Sequence, residues 1–281
     1  MHVQRIAAFS KGDEGGNPAG VVLLTAPAAE ADMARVAAEV GYSETAFAVP
    51  QDNSKRRWRV RYFSPESEVP FCGHATIALG AALGQHVGAG TFNLTLNEAN
   101  ITVDAEVTNS AMAATLVSPP TKSRAIADDE RADVMELLGL TEADLDERLA
   151  PAHIHGGADH IMFAVAERAR LAAMSYDLDE GRDVMRRHSI VTVMLVHIEA
   201  DQQFSVRNAF ASGGVLEDPA TGAAAAAFAG YLRDQKWPHG GQFQIIQGED
   251  MGQPSLISVE LTDVAGAPVK VSGHARNMLD I

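Results

Sequence analysis

The sequence predicts an α/β (α+β) protein made of two similar lobes, and three observations point there. The segment Arg61-Tyr62-Phe63-Ser64-Pro65-Glu66-Ser67-Glu68-Val69-Pro70-Phe71-Cys72-Gly73-His74-Ala75-Thr76 reads as a strand holding Arg and Phe, an acidic turn, and small residues opening an Ala-rich helix. Arg207-Asn208-Ala209-Phe210, followed by Glu217-Asp218-Pro219-Ala220-Thr221-Gly222-Ala223, reads the same way. Between them Ser118-Pro119-Pro120 breaks the chain, and the pattern restarts after it. A chain that builds one strand–turn–helix unit twice has two related halves. The boundaries that follow are 1–117 for the first lobe and 118–281 for the second, with the last strand free to pack back onto the first. The place where two such helix starts meet is a natural active site.

The elements follow in order. Residues 3–9 and 21–24 read as strands joined by a tight Gly15-Gly16-Asn17-Pro18-Ala19-Gly20 loop. Ala29, Met33, Val36, Ala37 and Val40 fall at helical spacing, so 28–40 is a helix that Gly41 caps. Strands are expected at 43–49 and 57–63, a buried helix at 72–85, then strands at 91–96, 100–107 and 111–116. In the second half, helices are expected at 128–138, 141–145, 169–175, 179–188 and 219–233. Strands are expected at 160–165, 191–198, 204–210, 243–247, 256–261 and 269–272. Phe47-Ala48-Val49 is echoed by Phe163-Ala164-Val165.

Composition narrows the function. The chain has 281 residues, 46% hydrophobic and 21% charged, as ordinary globular proteins do. A net charge of −15 disfavours nucleic acid and anionic lipid, both of which are held by Lys and Arg. It leaves room for an anionic small molecule, whose binding is decided by local fields. There is no 18-residue apolar run, and the first residues are broken too early by Lys11 and Asp13 to form a signal peptide. The expectation is therefore a cytoplasmic protein without a membrane partner. Cys72 is the single cysteine, which excludes an intrachain disulfide and leaves it as packing or as a reactive thiol.

Several residues carry chemistry. Gly73 and Gly222 stand at helix starts, where unpaired N–H groups and the dipole attract an anion and the absent side chain lets it approach. Asp218-Pro219 reads as an N-cap followed by a first-turn proline. Glu44 sits where a turn becomes an apolar strand, with Ala46 and Ala48 on its face. A carboxylate in apolar surroundings acts as general acid or base near neutrality. His74, at the start of the first Ala-rich helix, is suited to holding a proton and is expected neutral there. Cys72 shares that helix start, where a thiol ionises more readily. The stretch matching it in the second half offers Asp218-Pro219 and no second thiol. Asn17 could anchor a substrate polar group. His153-Ile154-His155 with Asp159 and His160 has a metal-like spacing, but a polar loop entering a strand is the better reading, and no metal is expected. Neither nucleotide fingerprint, Gly-x-Gly-x-x-Gly or Gly-x4-Gly-Lys-Ser/Thr, is present, nor is a Gly-x-Ser-x-Gly elbow, so no cofactor is expected.

Four motifs, in order and spanning most of the chain, resemble the phenazine-biosynthesis PhzF-like family. They are Gly16-Asn17-Pro18-Ala19-Gly20-Val21, Ser43-Glu44-Thr45-Ala46-Phe47, Phe63-Ser64-Pro65 with Cys72-Gly73-His74-Ala75-Thr76, and Glu217-Asp218-Pro219-Ala220-Thr221-Gly222-Ala223. The resemblance implies a diaminopimelate-epimerase-like fold, each lobe a mixed, curled β-sheet around a central helix with the active site in the cleft between them. It also implies a cofactor-independent isomerase and a homodimer. Glu44 stands at the position of the family's proton-carrying Glu. His74, Asp218, Gly73, Gly222, Asn17, Thr221 and Cys72 stand at positions that would bind the substrate, which for the family's namesake is a dihydro-hydroxyanthranilate. One position departs from the namesake's pattern: its motif continues Thr-Gly-Ser, and this chain has Ala223, so a hydroxyl is missing.

The expected activity is therefore proton transfer on a small carboxylate-bearing metabolite through Glu44. Two rivals are a racemase or epimerase using Cys72 and Glu44, and a binding protein that kept the fold without catalysis.

Overall fold

The computed structural model describes residues 1–97, 99–108 and 111–278. The chain forms two compact units, Met1–Val117 with Ser272–Ile281, and Ser118–Val271. The stretch from Ser272 thus counts with the first unit. Residues 279–281, at the end of the expected second lobe, lie outside the described residues.

The first unit contains β1 (Gln4–Ala8), β2 (Asn17–Leu23), α1 (Glu30–Val40), β3 (Thr45–Pro50), β4 (Arg57–Phe63), β5 (Glu68–Val69), α2 (Gly73–Val87), β6 (Gly90–Thr95), β7 (Asn100–Val107) and β8 (Met112–Val117). The second contains β9 (Lys122–Ala125), α3 (Asp128–Leu138), β10 (Ala152–His155), β11 (Asp159–Ala164), α4 (Arg168–Ala172), α5 (Leu178–Arg187), β12 (Thr192–Ala200), β13 (Gln203–Ala209), β14 (Glu217–Asp218), α6 (Gly222–Asp234), β15 (Gln242–Gln247) and β16 (Ser255–Glu260). The last strand, β17 (Lys270–Asn277), spans the point of division.

Strand alternation is clearest in β4. Trp58, Val60 and Tyr62 are buried, while Arg57, Arg59 and Arg61 turn to the other face. In the first unit pairing runs β1–β2–β3–β4–β6–β7–β8, and β17 closes the ring by pairing with both β8 and β1. Helix α2 fills that ring. Gly73 to Gly84 are all buried, and the helix packs on β1, β2, β3, β6, β7 and β8. Its glycines explain the fit: a Cβ on Gly80 would lie 2.6 Å from Val103 Cγ2 and 2.9 Å from Ala114 Cβ. Outside the sheet, Met33, Val36 and Ala37 of α1 cover Val22, Phe47 and Phe63. Each fully buried Val, Met or Phe adds about 1.5–3 kcal/mol of transfer free energy.

The second unit repeats this plan. Its sheet runs β9–β10–β11–β12–β13–β15–β16. The parallel, antiparallel, parallel, antiparallel series of β2–β3–β4–β6–β7 recurs as β11–β12–β13–β15–β16. Helix α6 is the inner helix, with every residue from Ala224 to Arg233 buried. The outer face is covered by α3, α4 and α5 through Val134, Leu138, Leu171 and Met185 against Ile161, Phe163, Val193 and Leu195. The fold class is therefore the expected one, a mixed curled sheet around a central helix, built twice.

The structure corrects several expectations. Asn17 to Gly20 form the first half of β2 and not a loop, with Asn17 opposite Ala8. Pro18 is tolerated because pairing with β3 begins only at Gly20, so its missing N–H falls ahead of that ladder. The second inner helix starts at Gly222, after an N-cap at Thr221, and Asp218 belongs to a two-residue strand. Asp218-Pro219 is therefore not a helix cap. The Phe-Ala-Val echo is also accidental. Phe47 lies on β3, whose counterpart by pairing is β12, whereas Phe163 lies on β11, the counterpart of β2.

Candidate active site

The two signature segments fold alike in detail. Arg61 pairs with Glu68 through Nε to Oε1 at 2.7 Å and Nη2 to Oε2 at 2.5 Å. Arg207 pairs with Glu217 in the same two-pronged way, at 3.0 and 2.5 Å. Each fork ties a strand to the short strand after it, Phe63 opposite Glu68 and Ala209 opposite Glu217. Counting from these pairs, Val69 corresponds to Asp218, Cys72 to Thr221, and Gly73 to Gly222. The residue matching Cys72 is thus Thr221, and not the Asp218-Pro219 expected from the sequence.

In the first unit the fold gathers Glu44, Cys72 and His74. Glu44 immediately precedes β3, and its carbonyl accepts from Gly20 N at 3.2 Å. The close approach of β2 there requires glycine, since a Cβ at Gly20 would lie 2.6 Å from Thr45 Oγ1. Cys72 is the N-cap of α2 and makes no side-chain cap bond, and His74 is the second residue of that helix. One ligand atom from each of Glu44, Cys72 and His74 lies within 4.8 Å of the others. Glu44 Oε2 is 3.4 Å from His74 Nε2, and Ser43 Oγ lies 3.4 Å from the same nitrogen. Cys72 Sγ is 3.4 Å from His74 Nδ1. Only 12% of the Glu44 side chain and 6% of the His74 side chain is exposed. Glu44 Oε2 is buried without a hydrogen-bond partner. Behind His74, Thr76 Oγ1 donates to Cys72 O at 2.6 Å and meets the Tyr62 hydroxyl at 2.7 Å, which fixes the first turn of α2. Burial pushes the Tyr62 hydroxyl pKa up, keeping it neutral. Asn17 is also buried in this unit, at the start of β2.

In the second unit Asp218, Thr221 and Gly222 come together around a residue the sequence did not single out, Gln247. Thr221 Oγ1 donates to Asp218 Oδ2 at 2.6 Å. Gln247 Nε2 donates to Asp218 O at 2.6 Å and to Thr221 Oγ1 at 3.1 Å, and Thr221 N donates to Gln247 Oε1 at 3.2 Å. Gln247 is the last residue of β15 and wholly buried, so it pins the loop that leads into α6. One of three glutamines in that strand, it carries no local signal of that role. Nearby in register, Asn208 lies opposite Asp218. Thr192 Oγ1 donates to Asn208 Oδ1 at 3.1 Å and accepts from His160 Nδ1 at 2.8 Å.

The histidine-rich segment is a hairpin and not a loop. His153 and His155 lie on β10, and both contact Asp159 Oδ1, at 3.1 and 3.0 Å. His153 Nδ1 also contacts Glu130 Oε1 at 2.9 Å. His160 lies on the other face, fully buried. The Arg124 guanidinium beside Glu130 holds that carboxyl down at about 2, so it remains charged as a partner for this cluster.

Comparison with known proteins agrees with this architecture. The sequence profile described as phenazine biosynthesis-like protein matches residues 6–280. An uncharacterized isomerase of Mesorhizobium japonicum is 31% identical over 281 residues, covering 94% of this chain and 92% of its own length. The trans-2,3-dihydro-3-hydroxyanthranilate isomerase of Pseudomonas chlororaphis is 29% identical over 278 residues, covering 97% and 95%. The crystal structure of a Bacillus anthracis phenazine biosynthesis protein of the PhzF family superposes with a TM-score of 0.85 at 20% identity, covering 99% of this chain and 96% of that one.

Proposed function

Because the chain belongs to the phenazine biosynthesis-like family, whose curated relatives are isomerases, we propose that it moves a proton between two carbons of a small carboxylate-bearing metabolite, with Glu44 as the base that takes the proton and returns it. The observation that carries this reading is the Glu44 carboxylate oxygen, buried and without a hydrogen-bond partner. Such an oxygen costs free energy unless something else meets it, and a substrate C–H is what a general base meets. The substrate class follows from the relative whose substrate is named, since an anthranilate carries a carboxylate.

The chemistry needs no redox partner. Glu44 removes a proton from one carbon, the double bond shifts, and the carboxylic acid delivers the same proton to another carbon. Negative charge builds on the substrate in between. The first N–H groups of α2, with no side chain capping them, and the positive end of its dipole suit that charge. His74 Nε2, 3.4 Å from Glu44 Oε2, stands close enough to help hold the substrate against the base. Asp218, Thr221, Gly222 and Asn17 enter the proposal as substrate-binding residues. Alanine at Asp218 is expected to raise KM more than it lowers kcat.

The test is proton exchange in D2O with a panel of small carboxylates, including trans-2,3-dihydro-3-hydroxyanthranilate, followed by NMR. Loss of C–H signal with the wild type is expected to fall by about 10²–10⁴-fold in Glu44→Gln, while folding and binding persist. An equally active Glu44→Gln enzyme would discard Glu44 as the base. Thermal stabilisation by a compound that never exchanges would point to a binding protein.

A second reading has its own support in the 3.4 Å contact between Cys72 Sγ and His74 Nδ1. In that reading Cys72 and Glu44 act as two bases at one stereocentre. It requires Cys72→Ala to lose as much activity as Glu44→Gln, whereas the one-base mechanism leaves Cys72→Ala far more active.

A further inference from the structure

We infer that Glu44, Cys72 and His74 form a site for a thiol-seeking divalent cation, Zn2+, which switches the enzyme off by occupying its base. The three side chains offer a carboxylate oxygen, a sulfur and an imidazole nitrogen, the donor types zinc takes. The two separations from His74 Nε2 suit one tetrahedral ion, and all three ligand atoms lie within 4.8 Å of one another. With zinc bonds of about 2.3 Å to sulfur and about 2.0–2.2 Å to nitrogen and oxygen, adjacent ligands stand ~3.6 Å (N to S) and ~3.4 Å (N to O) apart. His74 Nε2 lies 3.9 Å from Cys72 Sγ and 3.4 Å from Glu44 Oε2.

A second, independent observation points to a ligand. Glu44 is 9% exposed, and its Oε2, the oxygen beside His74 Nε2, has no hydrogen-bond partner. Coordination would meet that oxygen. Ser43 Oγ, 3.4 Å from the same Nε2, would give up its contact when the nitrogen turns to the metal. Three protein ligands leave the fourth position for water or for an oxygen of the substrate. Binding requires the thiol to lose its proton to solvent while zinc takes the thiolate, so affinity rises with pH. Bound zinc withdraws the carboxylate that proton transfer uses. The isomerase and the cation thus compete for Glu44.

The switching-off rests on the proposed role of Glu44 as the base, whereas the test measures zinc binding directly and stands whether or not that role holds. Full-length protein freed of metal with a chelator is titrated with ZnCl2 by calorimetry at pH 6 and pH 8, and with CoCl2 by near-ultraviolet absorption. One ion per chain, tighter at pH 8, with a thiolate-to-cobalt charge-transfer band, is the expected result. Cys72→Ala should abolish that band and weaken zinc binding by at least the ~10–100-fold lost when even a group behind a metal ligand is removed. Glu44→Gln should weaken it too, which keeps the test usable if Cys72→Ala folds poorly by circular dichroism. No saturable binding would overturn the proposal. So would zinc affinity unchanged in both variants but lost in His155→Ala, which would place the ion on the His153–His155–Asp159 hairpin instead.

Discussion

Glu44 and His160 are both buried polar residues, yet their surroundings give them different duties. Glu44 lies at the start of a strand beside His74, with one oxygen unpartnered. His160 is fully buried, donates from Nδ1 to Thr192 Oγ1, and leaves Nε2 without a partner. Burial drives its pKa down to about 3, and the charge of Asp159 offsets only part of that. The consequence for stability has a definite sign. The unfolded chain gains a proton on this residue below about 6.5, and the folded chain gains it only near 3. Stability is therefore complete above about 6.5 and falls as the pH drops toward 3. His160→Gln should flatten the dependence of unfolding free energy on pH between 7 and 5.5, by up to ~1.4 kcal/mol per pH unit relative to wild type. Urea titrations at several pH values measure this, and parallel curves for the two proteins would contradict it. His160 was legible in the sequence only as one of several histidines in a row. Its burial depends on β12 supplying Thr192, thirty-two residues later, as its neighbour.

Most secondary elements were legible because their periodicity is local. Residues 57–63, 100–107 and 128–138 form the expected elements from end to end, since alternation or a helical stripe is written within each segment. The elements missed were short. β5, β9, β10 and β14 have two to four residues, too few for a period to show. They exist because a neighbouring strand offers a free edge. The inner helices show the converse. An Ala-rich stretch announces a helix, but the glycines within it make sense only once its sheet is present. Gly80→Ala improves intrinsic helix propensity yet places a methyl 2.6 Å from Val103 Cγ2 and 2.9 Å from Ala114 Cβ. The clash should outweigh the propensity, costing about 1–3 kcal/mol in chemical denaturation. A stabilised Gly80→Ala protein would show that α2 is packed more loosely than described.

At the scale of the whole molecule, the last strand matters more than its position suggests. The first unit is a ring only because β17 pairs with both β1 and β8, and it is separated from them by the entire second unit. Ala275, Arg276 and Asn277 face Ala8, Ala7 and Ile6 in antiparallel register. A chain ending at Val271 would leave the edges of β1 and β8 that β17 covers unpaired. Such edges pair with other chains. The truncated protein is expected to be mostly insoluble, or to lose the cooperative unfolding of its first unit in calorimetry. A soluble truncated protein with an unchanged melting profile would show that the ring does not need β17. No helix among the described residues is long and apolar enough to cross a membrane.

That the chain is a doubled α/β unit of the phenazine biosynthesis-like family could be read from residues alone, because strand alternation, helical spacing and the two Arg-strand–turn–helix signatures are each contained in short stretches. The sequence also named Glu44, Cys72 and His74, but as separate candidates. Folding alone brings these three side chains into one small volume, puts Thr221 and not Asp218 before the second inner helix, and sets Gln247 against the loop that leads to it. The physical reason is range. Glu44 reaches His74 across thirty residues and Gln247 reaches Asp218 across twenty-nine, through strand pairings whose register no local pattern specifies.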